Sequence, residues 1–143
     1  MHRIALLSLL LAVSACSKKA EPTTPTGGGG GAAAAGPAIS QTMADAPTHN
    51  VPATIEVKAP CNESGYLKLN VPTGTAFTID VTTSAGSAMI DVMDANGKSA
   101  GVSTEVTAGP AKNVASAGQE GATLVSVSET GACTGSTVTL AIK

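Results

Sequence analysis

Leu67-Lys68-Leu69-Asn70-Val71-Pro72-Thr73-Gly74-Thr75-Ala76-Phe77-Thr78-Ile79-Asp80-Val81-Thr82 is the stretch that decides the fold. On either side of a Pro-Thr-Gly break, apolar residues alternate with polar ones: Leu67, Leu69 and Val71 against Lys68 and Asn70, then Phe77, Ile79 and Val81 against Thr78, Asp80 and Thr82. Successive side chains of a strand point to opposite faces, so the alternation describes two strands with one apolar face each, joined by a turn. The same period extends outward to Ile55 and Val57, to Ile90 and Val92, to Val125 and Val127, and to Val138, Leu140 and Ile142. It is weaker at 102–106 and 112–115. Turn residues separate the runs at Ser84-Ala85-Gly86, Asn96-Gly97, Gly109-Pro110, 118–121 and 131–135. No helical stripe runs through the chain. About seven or eight short strands, each with one apolar face, predict an all-β fold, a small antiparallel β-sandwich over 51–143.

A resemblance sharpens that expectation. The order Gly65-Tyr66-Leu67-Lys68-Leu69, then Gly74-Thr75-Ala76-Phe77-Thr78-Ile79-Asp80-Val81, then Ile90-Asp91-Val92-Met93-Asp94-Ala95-Asn96-Gly97 resembles the bacterial pre-peptidase C-terminal domain. The resemblance implies a jelly-roll-like sandwich, used in secreted proteins as an accessory or binding module, with a closing strand pair here at 122–128 and 137–142. Leu124-Val125 and Val138-Thr139-Leu140 stand where that family often carries Tyr.

The beginning of the chain reads as an address. Met1-His2-Arg3 precedes an apolar run over 4–13, followed by Ser14-Ala15-Cys16. This is a basic n-region, a short h-region and a small-residue cleavage site, so 1–15 is expected to be a signal peptide. The run is shorter than the roughly 20 apolar residues a bilayer-spanning helix needs, and it lacks the amphipathic stripe of a core helix. Val13-Ser14-Ala15-Cys16 resembles the lipobox of bacterial lipoproteins. That resemblance implies a diacylglyceryl thioether on Cys16, cleavage before it and attachment to a membrane. With Ser17 rather than Asp next, it implies the outer membrane more than the inner. The competing reading is an ordinary secretion signal with a chance cysteine.

After Cys16 comes a segment rich in Pro, Gly and Ala: Glu21-Pro22-Thr23-Thr24-Pro25-Thr26, then Gly27 to Gly31, Ala32 to Ala35 and Gly36-Pro37. It holds too little apolar surface to offset its ordering entropy, and four alanines between glycines cannot nucleate a helix. Residues 16–50 are therefore expected to be a flexible leash, averaging about 30–35 Å end to end.

Composition excludes several function classes. The formal net charge is −2, and beyond the leader lysines are scattered with no basic patch, so nucleic acid is not an expected partner. One Tyr, one Phe and no Trp leave no platforms for stacking on sugars or bases. The two histidines are His2, in the leader, and His49, in the expected linker. A sandwich without histidine has no Ser-His-Asp or Cys-His nucleophile pair and no imidazole zinc site. The run Gly27 to Gly31 is not a phosphate loop, because no Lys-Ser/Thr follows it. No cofactor motif is present. Asn62-Glu63-Ser64 matches a glycosylation sequon and reads as chance in a bacterial protein.

Of the three cysteines, Cys16 is committed to lipid on the lipobox reading, which leaves Cys61 and Cys133 as a pair. In an oxidising compartment they are expected to form a structural disulfide tying the start of the domain to its end. The alternatives are two free thiols or a redox pair, which no Cys-x-x-Cys spacing favours. Asp91, Asp94 and Asn96 make a weak calcium candidate. Val92 and Ser103 occupy positions where an EF-hand needs oxygen ligands and a Glu, so the competing reading is a hairpin turn built on Asx and Gly. Asp80 and Asp91 could pair for acid–base work, but alternation turns both outward, where acids usually solubilise. The expectation for function is a lipid-anchored bacterial envelope protein with a non-catalytic binding or structural module. The alternatives are an inhibitor or regulator of another envelope enzyme and, third, an enzyme.

Overall fold

The computed structural model describes residues 37–143; the expected signal peptide, Cys16 and the linker up to residue 36 lie outside the described residues. Nine strands and no helix occur among them: β1 (Thr48–Asn50), β2 (Ala53–Lys58), β3 (Gly65–Asn70), β4 (Ala76–Thr83), β5 (Ser87–Met93), β6 (Ser99–Thr107), β7 (Lys112–Ala117), β8 (Thr123–Thr130) and β9 (Thr137–Ile142). They form two sheets, ordered β1-β3-β8-β5-β6 and β2-β9-β4-β7. The molecule is the β-sandwich that the alternation predicts.

The pairing is nested. β2 pairs with β9, β3 with β8, β4 with β7 and β5 with β6, all antiparallel. From β2 to β9 the chain is thus one long hairpin whose tip lies between β5 and β6. Alternate pairs fall in opposite sheets, which rolls the hairpin up and gives the strand order of a jelly roll. Each face turned inward is apolar. Leu67, Ile79, Ile90 and Leu140 have no exposed surface, and burying each contributes about 1.5–3 kcal/mol. Phe77 is the one aromatic in this core, which is otherwise built of Val, Ile, Leu and Ala.

Rolling obliges both arms of the hairpin to change sheets together three times, and each double crossing is fastened. At the first, 59–64 beside 131–136, Cys61 and Cys133 are disulfide-bonded with Cα atoms 5.2 Å apart, and Glu129 N–H donates to Pro60 O at 2.7 Å. At the second, 71–75 beside 118–122, Gly74 N–H donates to Gly118 O and Gly118 N–H to Thr75 O, both at 2.8 Å. A side chain on Gly118 would overlap the Pro72 carbonyl, so only glycine lets the two arms come this close. At the third, 84–86 beside 108–111, Ala108 N–H donates to Gly86 O at 3.0 Å.

Three features depart from the sequence reading. The strand count is nine rather than seven or eight. One strand pair, β1 with β3, is parallel. The folded unit also begins before Val51, within the expected leash. Ile39 packs into a notch that exists because residue 65 is glycine; a Cβ there would overlap Ile39 Cδ1. Ser40 and Tyr66 exchange backbone hydrogen bonds of 2.9 and 2.7 Å. The chain then crosses the outer face of the five-stranded sheet as a strap over 41–46, where Lys68 Nζ donates to Ala44 O at 3.0 Å. Leu124 points away from the main core by alternation yet is only 1 % exposed, and Ala46 on the strap is 6 % exposed. Both lie outside the main core cluster, on the side of the sheet that the strap crosses. Apolar contact fixes the segment even though its composition is that of a loop.

Two outcomes follow for stability. The disulfide closes a separation of 72 residues, so a Cys61→Ala/Cys133→Ala double variant is expected to lose about 4 kcal/mol by loop-closure entropy, read from its urea midpoint. Gly118→Ala, with its methyl forced into the Pro72 carbonyl, is expected to lose roughly 1–3 kcal/mol by the same measurement.

Candidate functional site

The most concentrated polar chemistry lies at the first crossing. Val125 and Val127 of β8 face the core, and Glu129 has the same parity, so its carboxylate is carried inward; it is 1 % exposed. The loop that follows wraps back onto it. Oε1 accepts from the Thr134 N–H at 2.5 Å and the Thr134 hydroxyl at 2.6 Å, while Oε2 accepts from the Gly135 and Ser136 N–H groups at 2.9 and 3.2 Å. The Ser136 hydroxyl lies 2.8 Å from Oε1 and 2.6 Å from Ala85 O, bridging this crossing to the third. Cys133 (φ 51°) and Gly135 (φ 74°) are both left-handed, the backbone alternation that turns successive N–H groups toward one point. The result is an anion nest filled by the protein's own carboxylate.

The Thr134 hydroxyl bond, followed by the Ser136 hydroxyl and the Thr134 and Ser136 N–H groups, holds Glu129 down at about 2 against the opposing effect of burial. The group is ionised and saturated, so it offers neither a proton nor a free lone pair to a substrate; it organises the loop that carries Cys133. Sequence reasoning passed over Glu129, although its parity with Val125 and Val127 before a Gly-Ala-Cys-Thr-Gly-Ser loop was a readable signal.

The acids singled out from the sequence are not brought together. Asp80 lies on the outer face of the four-stranded sheet, held below its ordinary value by Lys143 Nζ at 2.6 Å and by Asn113 Nδ2 at 2.7 Å. Asp91 lies on the outer face of the other sheet, where it accepts from Ser126 Oγ at 3.2 Å. Opposite faces of a sandwich cannot form an acid–base pair. Asp94 serves the β5–β6 turn: its Oδ1 accepts from the Asn96 and Lys98 N–H groups at 2.8 and 2.9 Å, and Gly97 has φ 78°. No group of three or more His, Cys, Asp or Glu side chains poised for a metal ion occurs among the described residues. His49 lies in β1 rather than in a linker, its Nε2 3.1 Å from Ala38 O, so the folded region does contain a histidine.

At the far end of β3 from Gly65, an open groove of about 460 Å3 is lined by Thr48, Lys68, Asn70, Thr73, Gln119 and Gly121, among others. Three segments distant in sequence build it, and the second crossing holds its walls together: Thr73 Oγ1 donates to Gln119 O at 3.3 Å. Asn70 Nδ2 donates to Asn50 Oδ1 at 2.9 Å, so the paired amides of β1 and β3 stand beside it. Hydroxyls, amides and one ammonium suit a polar ligand bound by hydrogen bonds. No protein-family model matches the chain, and no curated protein matches it in sequence.

The Glu129 nest makes a pH-dependent prediction. A carboxylate held at about 2 when folded and near 4.5 when unfolded adds stability above pH 4.5 that is lost as pH falls toward 2. Glu129→Gln turns an amide N–H₂ toward a ring of donors, and its melting temperature should fall by roughly 10 °C at pH 7. The gap to wild type should stay constant above pH 5 and narrow between pH 4.5 and 2, as followed by circular dichroism.

Proposed function

We propose that this chain is a lipid-anchored protein of the bacterial cell envelope, held to the outer membrane through Cys16, whose jelly roll is a non-catalytic binding module. The observation that carries the reading is the pairing of Cys61 with Cys133. Two of the three cysteines form a bond that belongs to oxidising compartments, which suits the lipobox address, and the third is the lipobox cysteine itself. The ionisable groups described above hold turns, loops and sheet faces in place, which suits a scaffold more than a reaction centre. The groove at the end of β3 is the surface assigned to binding.

A second reading, a regulator of another envelope enzyme, draws on the β5–β6 turn. Asp94 fixes that turn from within and leaves Ala95 and Asn96 exposed in a set shape. It differs from the first in which end-loop would touch the partner.

The anchor is tested by feeding cells a clickable palmitate analogue and fractionating them. Wild-type protein should carry the label and stay with membranes after a high-salt wash. Cys16→Ala should lose the label and be released with the Cys61–Cys133 disulfide intact. Retention of the Cys16→Ala protein on washed membranes would sink the proposal. Photo-crosslinkers at Thr73 and at Asn96 then separate the two readings, with Thr54 on the opposite sheet as control.

A further inference from the structure

We propose that Met43 is a reversible oxidation site and that its thioether is the latch of the strap. Met43 is the one large hydrophobic residue that is exposed among the described residues, at 37 %. The other two methionines described, Met89 and Met93, are half-buried on β5, and Met89 Sδ takes a 3.5 Å contact from the Ser103 hydroxyl. Met43 is therefore the thioether most open to an oxidant in solution. The Cys61–Cys133 bond is of the kind that persists in oxidising compartments, as the proposed envelope location requires.

The sulfur also has a structural task. A Cβ built on Gly97 would meet Met43 Sδ at 2.9 Å and its methyl at 3.2 Å, so the thioether occupies the space beside Gly97 that a side chain there would need. Glycine at 97 serves two ends: it accepts the left-handed φ of 78° and leaves room for the sulfur. The rest of the strap is lightly held. Between the Ser40–Tyr66 pairing and Pro47 O, which accepts from Lys68 N–H at 2.8 Å, its one bond to a sheet is the exposed Lys68–Ala44 contact. Gln41 Nε2 also donates to Glu63 Oε2 in the loop before β3 at 3.3 Å, and the other hydrogen bonds of the strap are internal, such as Thr42 Oγ1 to Asp45 Oδ2 at 2.7 Å.

A peroxide transfers one oxygen atom to Sδ: the O–O bond breaks, an S–O bond forms, sulfur is oxidised and the peroxide is reduced to water. The sulfoxide is polar and bulkier, and it cannot lie against the Gly97 backbone as the thioether does. The strap then opens locally, while the sandwich beneath stays folded. Methionine sulfoxide reductase reverses the step: the S–O bond breaks, the oxygen leaves as water, a dithiol is oxidised to its disulfide, and the strap closes again. None of this depends on the lipid anchor.

The test treats the full chain, as isolated from its host, with graded hydrogen peroxide. Peptide mass spectrometry and hydrogen exchange are followed together. Met43 should gain one oxygen before Met89 and Met93, and exchange over 41–47 should rise about tenfold as it does. Reductase should reverse both changes. Met43→Leu should show neither, and Met43→Gln should exchange fast without oxidant. Oxidation of Met89 or Met93 at the rate of Met43, or unchanged exchange over 41–47 once Met43 is oxidised, would overturn the proposal.

Discussion

A jelly roll must carry both arms of a hairpin across from one sheet to the other, side by side, and this molecule does so three times. Backbone groups at a crossing have left their ladders and need other partners. The Glu129 carboxylate supplies them at the crossing where the demand is greatest. It accepts from the N–H groups of Thr134, Gly135 and Ser136, none of which sits in a strand when it bonds Glu129. Because the Ser136 hydroxyl reaches Ala85 O, and Ser84 and Thr137 pair through their backbones at 2.9 Å, the same carboxylate stabilises the third crossing as well. The disulfide binds the two arms covalently at the same place, and Glu129 shapes the loop that presents Cys133 to Cys61.

The second crossing solves the same problem without a charge. Gly118 gives up its side chain so that 71–75 and 118–122 can bond backbone to backbone. One crossing is thus fastened by a buried anion and a covalent bond, the other by close approach. The difference shows in what each leaves at the surface. The first closes over a saturated carboxylate, whereas the second leaves the polar groove between its own loops and the end of β3. The groove proposed for binding therefore sits at the crossing that is held without a buried charge or a covalent bond.

How much of this was legible in the sequence depended on parity. Strands β2 to β5 and β9 each bury one face, and β8 carries Val125 and Val127 on its inner one, so alternation marked them; β6 and β7 showed weakly because each buries a single residue, Val106 and Val114. β1 was invisible for a physical reason: three residues, His49 flanked by polar neighbours, carry no period. Its place is set by Ile39 in the Gly65 notch and by the Lys68–Ala44 bond of the strap, contacts between segments far apart in sequence. Leu124 and Ser126 show the same limit. Alternation assigns them outward, yet both are buried, and Ser126 bonds Asp91 across that outer face. The disulfide was readable by counting cysteines. The groove was not, since no one of its three segments carries a signal.

The strap also joins the two ends of β3. Ile39 packs beside Pro60 and Gly65, at the start of β3, while Ala38 O lies 3.1 Å from His49 Nε2 in β1, so the first described residues run back along β3 toward its other end. The groove lies at the other end of the same strand, five residues on, roughly 17 Å away at the rise of an extended chain. The strap runs between the two ends and contributes to both: its first residues fill the notch at Gly65, and its last lead through Thr48 into the groove wall. Opening of the strap at Met43, as proposed, therefore acts on the segment that joins the Gly65 notch to the groove wall.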